Sequence, residues 1–193
     1  MDFIRINSKE DKYFDDVMKI YEVSFPIFEQ RTLKNQIDAL ENEMYNSTII
    51  CENDTLVGLL FYWKYGKYTY IEHLAISPSL RGKNYGSKIL KAFCKENKDT
   101  ILEIDNPIDE ISIKRLNFYT KIGFKLQNFE HIHPPYRQEY DGHYLKIMSF
   151  NRDLSKEEYE EFNEFLKNIV MKYSENNNSS LFKLWRWVNL FYI

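Results

Sequence analysis

Hydrophobic positions along this chain change their period several times, and each change marks an element. Residues 3–6 read as a short strand. Over residues 13–25, Phe14, Val17, Ile20, Tyr21 and Val23 recur at helical spacing until Pro26 stops the pattern. A second helix is expected over 32–42, with Leu33, Ile37 and Leu40 on one face. Residues 47–52 and 55–63 form a hairpin across Asn53-Asp54, and Gly66 turns the chain into a strand over 68–76. From Tyr85 onward, Tyr85, Ile89, Leu90, Phe93 and Cys94 give another helix. A strand follows at 101–105, then a helix over 110–122 with Ile111, Ile113, Leu116, Phe118, Tyr119 and Ile122 apolar and Gly123 at its end. Residues 124–132 and 143–150 alternate as two strands, joined by a loop containing Pro134-Pro135-Tyr136.

Beyond residue 152 the pattern changes. Ser155-Lys156-Glu157-Glu158 is a capping-box signature, followed by Tyr159, Phe162, Leu166, Ile169 and Tyr173 at helical spacing. An amphipathic helix packed on the body is expected there. Residues 174–180 are polar and asparagine-rich and read as a linker. The segment 181–193 carries Trp185, Trp187, Phe191 and Tyr192. Its two basic residues are few for a membrane-surface helix, so it is expected to dock on the protein or on a second copy as a homodimer.

Composition narrows the function. The 193 residues are 44% hydrophobic and 28% charged, which suits one soluble domain with an appendage. A net charge of −3 argues against a nucleic-acid partner. Cys51 and Cys94 fall on apolar faces and read as packing residues. No signal peptide and no apolar run of the ~20 residues that span a bilayer is visible, so a cytoplasmic protein without a membrane span is expected.

The chain is organised around residues 70–97, where a strand ends at Ser77-Pro78-Ser79 and a helix begins within Arg81-Gly82-Lys83-Asn84-Tyr85-Gly86-Ser87. Two glycines and an asparagine allow left-handed backbone and close approach to a ligand. A helix starting inside such a loop aims free N–H groups and a positive dipole end at one point, which suits a phosphate or pyrophosphate. Arg81 and Lys83 add charge beside it. The P-loop and the dinucleotide G-x-G-x-x-G patterns both fail by spacing.

The loop resembles the acetyl-CoA loop of the GNAT N-acetyltransferases, whose Arg/Gln-x-x-Gly-x-Gly/Ala pattern appears here as Arg81-x-x-Asn84-x-Gly86. Asn84 stands where that pattern has glycine, and asparagine tolerates the left-handed region. Asp105-Asn106-Pro107, Phe118-Tyr119-x-x-x-Gly123-Phe124 and Pro134-Pro135-Tyr136 resemble one bacterial branch of unassigned substrate. The resemblance covers residues 1–152, leaving 153–193 as a C-terminal extension. It implies an α+β fold with a mostly antiparallel central sheet, two splayed strands and flanking helices.

It also implies a chemistry: transfer of an acetyl group from acetyl-CoA to a primary amine by direct attack in a ternary complex. The pyrophosphate would sit on Arg81, Gly82, Lys83, Asn84, Tyr85, Gly86 and Ser87. The pantetheine would lie along Leu74, Ala75 and Ile76 like an added strand, where a main-chain N–H could polarise the thioester carbonyl. Tyr119 matches the family's proton donor to the leaving thiolate. Glu72 is the candidate base, read as sharing a strand face with Leu74. Phe25, Glu29 and Tyr136 are candidates for the acceptor pocket. Ser112 and Arg115 stand where many members carry asparagine and alanine, and Arg115 could contact a cofactor phosphate. His131 and His133 share a strand face, but without a third ligand no metal site is assigned and a substrate-side or structural role is expected. The alternative function is a non-catalytic acyl-CoA-binding sensor or assembly module on the same fold.

Overall fold

Alternation along two central strands splits the core into two layers. In the computed structural model, which describes residues 1–175, β3 (Thr55–Tyr65) sends Leu59, Phe61 and Trp63 to one side and Val57, Leu60 and Tyr62 to the other. β4 (Tyr68–Ile76) lies beside it and is joined by a turn at Gly66, whose φ is 51°. β1 (Asp2–Ile6) and β2 (Tyr45–Glu52) complete one half of the sheet. Asn53 and Asp54 both have positive φ, which gives the β2–β3 hairpin its tight turn.

The other half holds β5 (Thr100–Asp105), β6 (Phe124–Leu126), β7 (His131–His133) and β8 (His143–Phe150). The order is β1-β2-β3-β4-β5-β8-β6, with β7 also paired to β8. Among the described residues only β4 and β5 run parallel; the other pairs are antiparallel. The expected strand over 124–132 is therefore two short strands, both using β8 as partner.

Helices cover both faces. α1 (Phe14–Ser24), α2 (Leu33–Leu40) and α5 (Lys156–Asn168) pack Val17, Tyr21, Ala39, Phe162 and Leu166 into one layer. α3 (Tyr85–Glu96) and α4 (Glu110–Ile122) pack Ile89, Leu90, Phe93, Leu116 and Tyr119 into the other. Thr32 caps α2, and capping boxes open α4 (Asp109 with Ser112) and α5 (Ser155 with Glu158). Gly123 ends α4 at φ 119°. Leu33, Ile111 and Ile113 are exposed, contrary to the periodicity reading; buried Gln36 and Ser112 take core-side places on the same helices. Both cysteines are buried free thiols. Among the described residues no helix is long and apolar enough to cross a membrane.

Ser174 is buried and Glu175 is tied to the loop after β7 through Tyr136 O and Gln138, so the expected linker begins later than the composition suggests. The rest of that linker and the aromatic segment 181–193 lie outside the described residues.

Candidate active site

The sheet opens where β4 and β5 part. Their pairing stops at Ile71 opposite Leu102, and from Glu103 onward β5 pairs only with β8. Beyond that point β4 has an unpaired edge. Ser77 N–H donates to Val57 O, and a Cβ built on Gly58 would lie 2.2 Å from Ala75 O, so Ala75 turns its polar groups toward β3. Alternation then directs the N–H and C=O of Leu74 and Ile76 into the gap. Of the three residues expected along the pantetheine, Leu74 offers both main-chain groups and Ile76 its N–H, its carbonyl being taken by Arg81.

At the end of β4, a 3₁₀ turn at Pro78–Leu80 leads into the loop before α3. Gly82 has φ 77°, and Asn84 takes the left-handed region at φ 64°, ψ 13° as the residue before the helix, with no side-chain cap. Asparagine thus holds the backbone state that the glycine pattern requires. The first bond into the helix runs from Lys88 N–H to Asn84 O, and the six N–H groups of residues 82–87 have no acceptor among the described residues. A concentration of free donors at a helix N-terminus is an anion cradle. Gly86 has Phe118 so near that a Cβ would sit 3.3 Å from its ring, which locks α3 against α4.

Side chains of this loop are partly engaged elsewhere. Arg81 folds back, donating from Nε to Ile76 O (3.1 Å) and from its terminal nitrogen to Ser24 Oγ (3.0 Å). It ties the end of β4 to the end of α1. Tyr85 donates to Glu52 (2.9 Å). The backbone of the loop is what stands free.

Tyr119 lies in the apolar layer that also holds Leu74, Ile76, Tyr85 and Phe118. It stacks edge-on to Phe118 and Phe124, and its hydroxyl has no protein partner among the described residues. Burial raises its pKa, with Arg115 opposing, so the phenol keeps its proton. Ser112 is used entirely by the α4 cap, and Arg115 forms an ion pair with Asp105.

Glu72 departs most from expectation. The β3–β4 register shifts so that Phe61 faces His73 and Tyr62 faces Ile71, leaving Glu72 as a bulge residue. The bulge sends Glu72 and His73 to the same face, and Leu74 to the opposite layer. The shared-face reading of Glu72 and Leu74 is thereby overturned. The carboxylate is sealed: it accepts from Arg31 at 2.8 and 2.5 Å, from Trp63 Nε1 at 2.9 Å and from the Tyr136 hydroxyl at 2.7 Å. Neither Glu72 nor Arg31 exposes any side-chain surface. Burial alone would raise the Glu72 pKa; the Arg31 charge, aided by His73 and the hydrogen bonds, holds it well below the usual range. A saturated, fully ionised carboxylate without an open side does not suit proton abstraction. Tyr136 is buried with its hydroxyl spent on Glu72, so it serves this network rather than an open pocket wall.

Phe25 packs edge-on against His73 and, with Tyr21, Gln30, Arg31 and Arg137, lines a surface pocket of about 530 Å³ between α1 and the following turn. His73 donates from Nε2 to Glu29 O (3.0 Å), and burial lowers its pKa to about 4. His131 contacts Glu103, which also accepts from Tyr70, and packs against Phe162 of α5, whereas His133 donates to Pro134 O and packs against Tyr136.

At the mouth of the gap lies a second cluster. Glu29 Oε1 is 3.9 Å from His143 Nδ1, and His143 Nε2 is 3.6 Å from Asp105 Oδ1, each side chain about one-third exposed. Burial lifts the Glu29 pKa to about 7; Asp105 adds to the rise and Arg115 opposes it. These three could also be read as metal ligands, but the guanidinium already paired to Asp105 opposes a cation there. The sequence reading marked Glu29, whereas His143 and Arg31 carried no local signal.

Comparisons agree with this architecture. The chain matches the model of the acetyltransferase (GNAT) family over residues 13–124. It is 31% identical over 104 residues to Bacillus subtilis YjbC, provisionally described as an acetyltransferase, covering 52% of each chain; it thus spans about half the length of that relative. A GNAT-family protein of Bacteroides thetaiotaomicron, also provisionally an acetyltransferase, superposes with TM-score 0.82 and 28% identity over 89% of this chain and 98% of its own. A Bacillus subtilis acetyltransferase solved with CoA gives TM-score 0.53 at 16% identity, over 72% and 92% of the two chains. A spermidine N-acetyltransferase variant from Vibrio cholerae gives 0.56 at 10% identity, over 78% and 94%. With an open gap beside a donor-lined helix start and a family match across more than half its length, this chain belongs to the GNAT acetyltransferase family.

Proposed function

We propose that the protein transfers an acetyl group from acetyl-CoA to a primary amine, by direct attack while both are bound. The observation that carries this reading is the run of six unpaired N–H groups at residues 82–87 beside the open β4 edge. The donors fit a pyrophosphate, and the edge fits an amide-bearing arm that binds like a strand. Neighbouring folds include one solved with CoA and one named for spermidine, which supports the cofactor and amine classes.

Acetyl-CoA supplies an activated acyl group; the chain's own residues do the rest. In this reading the Leu74 and Ile76 N–H groups serve as donors to the carbonyl oxygen as it gains negative charge. As the nitrogen–carbon bond forms and the carbon–sulfur bond breaks, Tyr119 gives its proton to the departing sulfur. Its raised pKa keeps that proton available at neutral pH. Glu72 holds Arg31, Trp63 and Tyr136 together as the wall behind the acceptor side.

The test is acetyl-CoA consumption with ethylenediamine, spermidine and poly-L-lysine as acceptor probes. Tyr119→Phe should lower kcat by about 10²-fold or more while leaving acetyl-CoA affinity unchanged. Tight acetyl-CoA binding with no turnover on any probe, and no effect of Tyr119→Phe, would instead favour the sensor module.

A further inference from the structure

We infer that Glu29 is the base that takes the proton from the incoming ammonium, and that His143, which stands between Glu29 and Asp105, passes the proton to solvent. This deepens the acetyl-transfer reading and rests on it. An alkyl ammonium with pKa ~10 must lose a proton before it can attack, and the strand carboxylate Glu72 is sealed from any acceptor.

Three separate parts of the chain converge to build the alternative. Asp105 ends β5 just beyond the point where β4 and β5 part. His143 opens β8, two residues before Leu145, the partner of Asp105. Glu29 sits in the 3₁₀ turn Ile27–Glu29, which is pinned to β4 by the contact between its main-chain oxygen and His73. Phe28 packs edge-on to the His143 ring at 5.6 Å, so the turn and the imidazole are held as one unit.

The spacing suits proton transfer. At 3.9 and 3.6 Å, the imidazole stands between two carboxylates without a direct short bond to either. These separations are just beyond direct hydrogen bonding, and a catalytic hydrogen bond can tighten once substrate is bound. Glu29 is also the carboxylate here that is neither saturated nor fully exposed. The charged or titratable groups facing it are His143 from β8, Asp105 and Glu103 from β5 and Arg115 from α4, with His73 of β4 on its backbone. Their sum, added to burial, leaves Glu29 able to hold or release a proton near pH 7.

The same layout links base to acid. Arg115 pairs with Asp105 and lies one helical turn before Tyr119. The ammonium N–H bond breaks toward Glu29 and the nitrogen–carbon bond forms; as the tetrahedral adduct collapses, the carbon–sulfur bond breaks, Tyr119 protonates the sulfur, and the second nitrogen proton leaves to water, giving the neutral amide. Water then returns a proton to Tyr119 and removes the one from Glu29 through His143. Protons and electron pairs balance without a further reagent.

Two measurements test this. Carboxyl-detected NMR on the full chain should show Glu29 titrating near pH 7, and lower in Asp105→Asn; titration in the ordinary glutamate range overturns the proposal. With acetyl-CoA and ethylenediamine, kcat/KM should rise with pH and show an inflection near 7. Glu29→Gln should lower kcat by about 10²–10⁴-fold and remove that inflection, with acetyl-CoA affinity intact. His143→Gln should shift the inflection and cost less. A Glu29→Gln enzyme within about threefold of wild type, or one that keeps the inflection, overturns it. If acetyl-CoA binds but no probe is acetylated even by wild type, the transfer reading itself fails and this base falls with it.

Discussion

Two glutamates near the open gap beside β4 have opposite environments. Glu72 is wholly buried, accepts four hydrogen bonds and is held ionised by Arg31. Glu29 is one-third exposed, lies near two other carboxylates and has its pKa pushed up by burial. Burial is common to both; what differs is the partner. A buried carboxylate bonded to a guanidinium stays ionised, whereas one without such a bond has its pKa raised. The sequence expectation of a base at Glu72 meets a carboxylate that is saturated with donors and closed to an acceptor.

Removing the partner should break the contrast most strongly. Arg31→Met leaves Glu72 charged and unpaired in the core, and should cost about 3–5 kcal/mol in urea denaturation. Adding Glu72→Gln should recover part of the loss, because the orphaned charge is gone. If Arg31→Met is neutral, Glu72 is not held by that pair.

A smaller effect is expected where the open edge of β4 is set. Gly58→Ala would press a Cβ onto Ala75 O, and should cost about 1–3 kcal/mol while weakening acetyl-CoA binding. A Gly58→Ala protein as stable as wild type would mean that the β3–β4 approach is looser than described. At Asn84, whose φ is 64°, a β-branched residue should cost about 1–2 kcal/mol, whereas Asn84→Gly should change little. Thermal or urea unfolding of both variants, with acetyl-CoA titration, checks the pair.

The pH dependence of stability separates the two glutamates with opposite signs. The folded-state pKa of Glu72 is depressed, so its contribution is present above the ordinary value of 4.5 and disappears as pH falls below it. His73, lowered to about 4 from 6.5, adds to the same acid-side loss. Glu29 is raised from 4.5 to about 7, so its contribution is present below 4.5 and is lost as pH rises through 7. Denaturation midpoints from pH 3 to 8 should therefore fall at both ends. Glu29→Gln should flatten only the upper limb, and an unchanged upper limb would deny Glu29 its shifted titration.

How much was legible in the sequence follows from what each part is made of. The cofactor side is built of backbone, and backbone demands leave local marks: Pro78 after the strand, Gly82 and Asn84 at positive φ, Gly86 where Phe118 presses close. Strand and helix order was readable for the same reason. The acceptor side is built of side chains brought together by the sheet. Residues 29, 105 and 143 share no local pattern, and Arg31 reaches Glu72 across 41 positions. The bulge at Glu72 reverses a period-two reading without any glycine or proline to announce it. Exposed Leu33 and Ile111 show periodicity misassigning a face where polar Gln36 and Ser112 are buried by their hydrogen bonds.

The central claim is that the loop before α3 seats the cofactor, and calorimetric titration of acetyl-CoA into the full chain tests it most directly. The account predicts binding by the natural sequence that Gly86→Trp abolishes, because the indole would fill the space between the free N–H groups and Phe118. No binding by the natural sequence, or binding that Gly86→Trp leaves unchanged, would contradict it.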